Sequence, residues 1–335
     1  MRRSERRQGG YVLVTVIGAL AVVAFVALRF AERIDTLRRT AVDFDEYVAA
    51  RANVAGARAA TQYWLATRPL ALGGRGNATV VVREDDRPFR FPDGAVVQVQ
   101  DARGLLSLNS GDRQVLFNLL IADGLEPARA QAMIDVLDDY TDADDLRRLN
   151  GAERSEYAAL GLPPPRNDWL FSLRELEALP LWRDDRERLA RLSRSLSASL
   201  LYQFNPLTAS PEVLRAMFPR ASAAQLELLM TLRASELLNS TSAVTQLTGL
   251  ALDGEHIHFA PGWESRLTLW APGLPRALEY NIRLTPAGPS GPWVILEQHS
   301  MPRPRSPHDL SAAPLFPLSR AAGAQPAPHA SAVIP

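Results

Sequence analysis

The chain has 335 residues, enough for two modest domains or one domain with a large insertion once a membrane segment is set aside. Lys plus Arg and Asp plus Glu both number 37, and every base is Arg, so the formal charge is zero and long-range attraction to nucleic acid is not expected. Cysteine is absent, which excludes disulfides, thiolate metal sites and Cys nucleophiles while remaining compatible with an oxidising compartment.

Near the N-terminus, residues 11–28 carry no charge, and these 18 positions sit at the lower end of what spans a bilayer as a helix. Arg2, Arg3, Arg6 and Arg7 precede them. A removed secretory signal fits poorly, because the apolar run is long and no small-x-small cleavage site follows it. Instead the chain stays helical: Ile34, Leu37, Ala41, Phe44 and Val48 recur at spacings of three and four, which puts them on one stripe. No Pro or turn cluster interrupts the pattern before Arg68, and Gly18 and Gly56 are its only weak points. One continuous helix about 80 Å long is predicted, at about 1.5 Å per residue, apolar in residues 11–28 and amphipathic in residues 29–68. A plain single-pass anchor shares these features. Positive charge does not orient it, since Arg29, Arg33, Arg38 and Arg39 match the four leader arginines.

Residues 69–107 turn to strand: "ATVVVRE", "RPFRFPDG" and "AVVQVQDA" are short β-branched or alternating runs separated by Pro, Asp and Gly. Residues 108–260 then read as helical, too long for a loop and enough for an inserted domain. Asp112 can cap "RQVLFNLLIADG", Pro127 opens "PARAQAMIDVLDDY", Ser172 with Glu175 forms a capping box, and Ser210 followed by Pro211 starts "PEVLRAMFP". Strand character returns over residues 261–301 in "SRLTLWAPG", "ALEYNIRLTP" and "PWVILEQHS". The predicted class is α+β: a sheet packed on the amphipathic part of the long helix, with helices inserted. Residues 302–335 are rich in Pro, Ala and Ser and read as a disordered tail.

Among constellations that carry chemistry, the acidic cluster Asp138, Asp139, Asp142, Asp144 and Asp145 stands out, because hard cations take several oxygen ligands. Asp142, Asp144 and Glu153 fall at positions one, three and twelve of an EF-hand loop, but Arg147 stands where that loop needs Gly, and Leu146 and Arg148 stand at ligand positions. The cluster is therefore not an EF-hand, and a solvated acidic helix end is the alternative. His256 and His258 would share a face if they lay on a strand, yet no further His or Cys lies near them. "ELEALPLWRDDRERLARLSR" is similar to a DNA-binding helical hairpin, but Trp182, Asp184 and Asp185 occupy the region that would meet phosphate, so a packing hairpin is the better reading. No nucleophile elbow, phosphate loop or dinucleotide fingerprint occurs, and no enzyme activity is expected.

The basic leader (residues 1–10) ending in Gly10, an aromatic at Tyr11, the uncharged run and the amphipathic continuation together resemble a type IV prepilin or pseudopilin. The resemblance implies cleavage after Gly10 by a prepilin peptidase, methylation of the new N-terminus at Tyr11, and retention of the apolar helix. Most of that family carries Glu at the fifth mature position, where it pairs a neighbouring subunit's ammonium inside lipid. Here Thr15 stands there, as is typical of the minor pseudopilin K of type II secretion. "QDARGLLSLN" matches the K family's D-x-x-G and L-N junction, residues 137–180 resemble its insertion, and "NPLTASPEVLRAMFP" resembles a further K segment in which Asn205, Thr208 and Ala209 match but Leu207 replaces an Asn. The K resemblance implies a sterile-alpha-motif-like helical insertion, a place at the tip of a short filament, and partners in the minor pseudopilins I and J. It also implies a single-pass inner-membrane protein with its C-terminal domain in the periplasm. Finally, it implies calcium held in the insertion, with Asp142, Asp144 and Glu153 as ligands and Asp139 or the Asn150 carbonyl as additions. A generic bitopic interaction protein and a DNA-binding pilin-like protein of an uptake machine are the competing readings.

Overall fold

The computed structural model describes residues 9–77, 79–201, 203–252, 254–304, 310 and 312–318, with backbone alone at residues 9–11. The predicted leader, residues 1–8, lies outside them. Helix α1 (Gly9–Thr67) runs unbroken for 59 residues, about 90 Å. Gly18 and Gly56 lie within it without a break, and a side chain at either would meet nothing within 4 Å.

Burial on α1 begins at Ala50 and follows Ala50, Val54, Ala57, Trp64 and Leu65, a helical stripe whose small residues let the helix lie close to a sheet. The sheet thus packs on the amphipathic part of the helix as expected, but only on its last third, and not on the stripe from Ile34 to Val48. Ile34, Leu37, Phe44 and Val48 are all exposed, Phe44 by 63%.

After α1 a small sheet forms from β1 (Leu70–Ala71), β2 (Gly74–Gly76) and β3 (Val81–Arg83). It is tied to the helix by a 2.9 Å bond from Trp64 Nε1 to the Arg75 carbonyl. The main sheet starts with β4 (Asp85–Arg90) and β5 (Val96–Asp101). There follow β6 (Leu106–Ser107), α2 (Arg113–Ala122), α3 (Pro127–Thr141), α4 (Arg154–Ala159), α5 (Arg186–Leu192), β7 (Leu196–Ser197), α6 (Pro211–Met217), α7 (Ala223–Leu232) and α8 (Thr241–Thr248). The sheet then resumes with β8 (Glu264–Trp270), β9 (Ala277–Leu284) and β10 (Trp293–Met301). Its order is β10-β9-β8-β5-β4, antiparallel throughout, so β5 and β8 are neighbours although every inserted helix lies between them in sequence. The α+β class with a helical insertion is what the sequence predicts. On the α1 side Val97, Val99, Leu267, Leu269, Tyr280 and Ile282 form the core.

The inserted helices divide into two units with separate cores. The first packs Leu116, Leu120, Met133, Leu137, Tyr157 and Trp182 and is closed at its base by the parallel pairing of β6 with β7. The second packs Leu207, Val213, Leu214, Leu229 and Val244. A parallel bridge between Phe204 and Ile257 closes it. Cap residues act as their spacing predicts: Asp112 accepts from Gln114 N at 2.7 Å, Pro127 and Pro211 occupy first-turn positions, and the Ser172–Glu175 box starts a 3-10 turn rather than an α-helix. Trp182 is 1% exposed and donates to the Met133 carbonyl at 2.8 Å, which makes its hairpin a packing element.

The tail also departs from expectation. Ala313 and Phe316 are buried, and Arg90 of β4 bridges to Leu315 in a parallel sense. Residues 312–318 are thus packed rather than disordered, because Phe316 finds an apolar slot that composition cannot reveal. The tail residues 305–309, 311 and 319–335 lie outside the described residues.

Candidate functional site

Three places carry the residues singled out by sequence. The first is the start of α1. Gly10 and Tyr11 lie at its N-terminal end, and their side chains lie outside the description. Thr15 sits one turn further on among Val12, Leu13, Val14 and Ile17, all more than half exposed. Beyond the apolar run, Arg29 pairs with Glu32 at 3.2 Å and Arg39 with Asp35 at 2.7 Å along the helix, leaving Leu37, Phe44 and Val48 as an uncovered apolar stripe.

The second place is the junction between sheet and insertion. Asp101, the last residue of β5, is fully buried. Its Oδ1 accepts from Arg103 N at 3.1 Å and Gly262 N at 3.0 Å, and its Oδ2 from Asn205 Nδ2 at 3.1 Å and Thr208 Oγ1 at 3.0 Å. A side chain at Gly104 would meet the Thr208 carbonyl oxygen at 2.4 Å. The D-x-x-G motif and the Asn205–Thr208–Ala209 motif are therefore two halves of one clamp. Leu207, in place of a polar residue, is fully buried in the second helical unit. Beside the clamp Arg75 pairs with Glu84 at 3.0 Å, both buried, and burial pushes the Glu84 carboxyl up to about 7. Sequence reasoning passed over this pair, whose members lie on β2 and just before β4 with no spacing signal.

The third place is the acidic loop after α3. Arg148 is its centre: its Nη1 donates to Asp139 Oδ1 at 2.8 Å and also to Asp142 Oδ2, and its backbone N bonds Asp139 Oδ2 at 3.1 Å. Asp138 is taken by Arg113 at 2.6 Å. Asp144 accepts from Leu146 N at 2.8 Å, and Asn167 ties down the Asp144 carbonyl at 2.9 Å and the Asp145 carboxylate at 3.2 Å. Glu153 is only 5% exposed and faces the Glu156 N–H in the capping box of α4, but neither of its carboxylate oxygens has a hydrogen bond of ordinary geometry, nor does Asp142 Oδ1. Burial, and then the charges of Asp139, Asp142, Asp145 and Asp144, push Glu153 up to about 7. Asp139, Asp142, Asp144 and Glu153 thus share one field, with Arg148 as the present counter-charge. Among the described residues no three carboxylate or imidazole side chains already stand together in metal-ligand geometry. The signal sequence reading missed was Arg148, seen only as a wrong residue for an EF-hand. His256 and His258 lie in and just after a 3-10 turn (Gly254–His256) rather than on a strand, which removes the spacing argument for a shared face.

A long exposed N-terminal helix, able by length and composition to cross a membrane, packs its far end on an antiparallel sheet bearing a helical insertion, the architecture that the resemblance to pilin-like subunits implies. Residues 95–199, which run from β5 through the Asp101 clamp and the acidic loop to β7, match the family model of type II secretion system (T2SS), protein K. Over that stretch the chain is similar to protein K, a minor pseudopilin. Among solved structures, a chain of the GspK-GspI-GspJ complex from the enterotoxigenic Escherichia coli type 2 secretion system shares the fold with a TM-score of 0.50 and 18% identity, over 79% of this chain and 99% of that one. No curated protein sequence matches. The generic-anchor and DNA-binding readings are not favoured by these likenesses.

Proposed function

We propose that the protein is the tip subunit of a type II secretion pseudopilus and helps start its assembly, working through surfaces rather than through catalysis. The observation that carries this reading is the bare α1 stripe of a chain whose sheet also carries two inserted helical units. An apolar helix face of that length is covered in a filament by neighbouring helices, and the insertion, like Thr15, disfavours an internal position. The partners are minor pseudopilins I and J, as in the complex whose chain shares this fold. The subunit lies in the bacterial inner membrane with its C-terminal domain in the periplasm, after prepilin peptidase has cut behind Gly10 and methylated Tyr11.

Calcium binds the acidic loop in this reading. The unpartnered oxygens of Glu153 and Asp142 are the donors a hard cation needs, and Asp139 and Asp144 complete the set when Arg148 gives up its place. The ion supplies the counter-charge that pins the loop.

Intact mass of the membrane-extracted protein, with and without prepilin peptidase, tests the assignment. A chain starting at methylated Tyr11 only when the peptidase is present supports it, and an uncut start at Met1 overturns it. Crosslinking with I and J then tests the place at the tip.

A further inference from the structure

The segment after β10 does not leave the domain. Arg303 donates to the Ala271 carbonyl at 2.8 Å and to that of Leu274, at the turn between β8 and β9. Leu310 packs with Val96, Trp270 and Ala277, whose neighbours Val97, Leu269 and Leu278 belong to the helix-facing core, so it lies on the face turned away from α1. The chain then reaches β4, the outermost strand. There Arg90 N donates to the Pro314 carbonyl at 2.9 Å, Phe316 N to the Arg90 carbonyl at 2.7 Å, and Arg90 Nε to the Ala313 carbonyl at 3.0 Å. Phe316 turns inward and is 4% exposed. It stacks on Phe91 with centroids 4.8 Å apart and meets Trp64 at 5.9 Å and Phe89 at 6.1 Å edge-on. Leu315 and Leu318, by contrast, are 60% and 49% exposed.

This is recognition of an extended peptide by strand addition: backbone bonds set the register and one aromatic anchor fills a pocket. Both N–H groups that Pro314 and Pro317 lack are ones the edge does not need, and the two rings hold the backbone near the conformation it must adopt. Among the described residues, two backbone bonds, one guanidinium contact, the Phe316 ring and the buried Ala313 hold residues 312–318 to the end of β4. The attachment is short: it joins the helix–sheet core through Phe316 and covers the β4 edge at its last residue, Arg90.

We propose that the β4 edge and the cleft formed by Trp64, Phe89 and Phe91 are a binding site for an extended, proline-flanked aromatic peptide, which the chain's own residues 312–318 fill as a releasable strap. In the intact chain the tethered strap outcompetes the same sequence offered in solution, because tethering sets a high effective concentration.

The test is fluorescence anisotropy of a labelled peptide of sequence LSAAPLFPL, residues 310–318, against the full chain in detergent and against a chain ended after Pro304. Saturable binding to the shortened chain is expected, at least about tenfold weaker for the peptide carrying Phe316→Ala, and at least about a hundredfold weaker for the full chain. A shortened chain with an intact near-ultraviolet circular dichroism spectrum that binds no peptide overturns the proposal. Equal binding of the two peptides, or equal binding by full and shortened chains, does so as well. Should the shortened chain fail to fold, the full chain carrying Phe316→Ala replaces it. That variant must take up the wild-type peptide, and its failure to do so while folded is equally fatal.

Discussion

Thr208 donates its hydroxyl to the carboxylate of Asp101 at 3.0 Å, although the two lie 107 positions apart in the chain. The contact joins the end of a sheet strand to the start of the second helical unit, so one buried carboxylate organises the point where the insertion leaves and re-enters the sheet. Replacing Thr208 by Val leaves Asp101 with one donor fewer in a site without water access. A loss of about 1–3 kcal/mol is expected from urea unfolding of the domain, and a similar loss for Asn205→Ala. Gly104→Ala should cost more, since its methyl group would overlap the Thr208 carbonyl. A wild-type midpoint for Thr208→Val would refute the clamp.

Stability should depend on pH through Glu84. Its carboxyl titrates near 7 in the folded chain, against about 4.5 when exposed, so between those values the folded state holds a proton that the unfolded state has released. Unfolding free energy therefore falls as pH rises from about 4.5 to about 7. Glu84→Gln should reduce the slope of the urea midpoint with pH in this window. An unchanged slope would show that Arg75 keeps Glu84 ionised throughout.

Calcium should raise the melting temperature of the metal-stripped protein. At a hundred times the dissociation constant the linkage is worth about 2.7 kcal/mol, on the order of 5 °C for a domain of this size. Glu153→Gln should abolish the rise while leaving the metal-free protein at least as stable, because it removes a buried carboxylate that lacks a partner. Absence of any shift at millimolar calcium in scanning calorimetry would leave the loop as an Arg148-centred ion-pair cluster.

Leu37→Asp and Phe44→Asp should leave the urea midpoint of the isolated subunit within about 0.5 kcal/mol of wild type, since both side chains are uncovered. The same substitutions should weaken capture of I and J by at least about tenfold, because a charge on that stripe must then be buried against a partner helix. Thr15→Glu tests the other end of the helix. If crosslinks then appear at internal filament positions, the missing carboxylate enforces the tip, whereas an unchanged pattern assigns that role to the insertion.

Much of the fold was legible because its signals are local. The unbroken apolar and amphipathic helix follows from periodicity and the lack of Pro. Asp112, Pro127, Ser172 and Ser210 mark helix starts by side-chain chemistry within three residues of the backbone they cap. The division of the insertion into two units was not legible, because β6 and β7 are two residues each and carry no period. The acidic loop could be found from its carboxylates, but Arg148 as counter-ion depends on how the loop folds back over Asp139. The buried Arg75–Glu84 pair and the Phe316 anchor depend wholly on residues brought together from distant parts of the chain, and Pro and Ala composition around Phe316 pointed the other way.

Because the sheet grips α1 only from Ala50 onward, the helix works as a spacer of fixed length. With residues 12–28 in a bilayer, the 21 residues from 29 to 49 hold the globular part about 30 Å above the lipid surface. Each residue added to or removed from that stretch turns the head by about 100° and moves it by about 1.5 Å. Height above the membrane and the bearing of the head around the α1 axis are therefore not independent. A change of seven residues nearly restores the bearing while shifting the height by about 10 Å, and a change of two points the insertion to the opposite side.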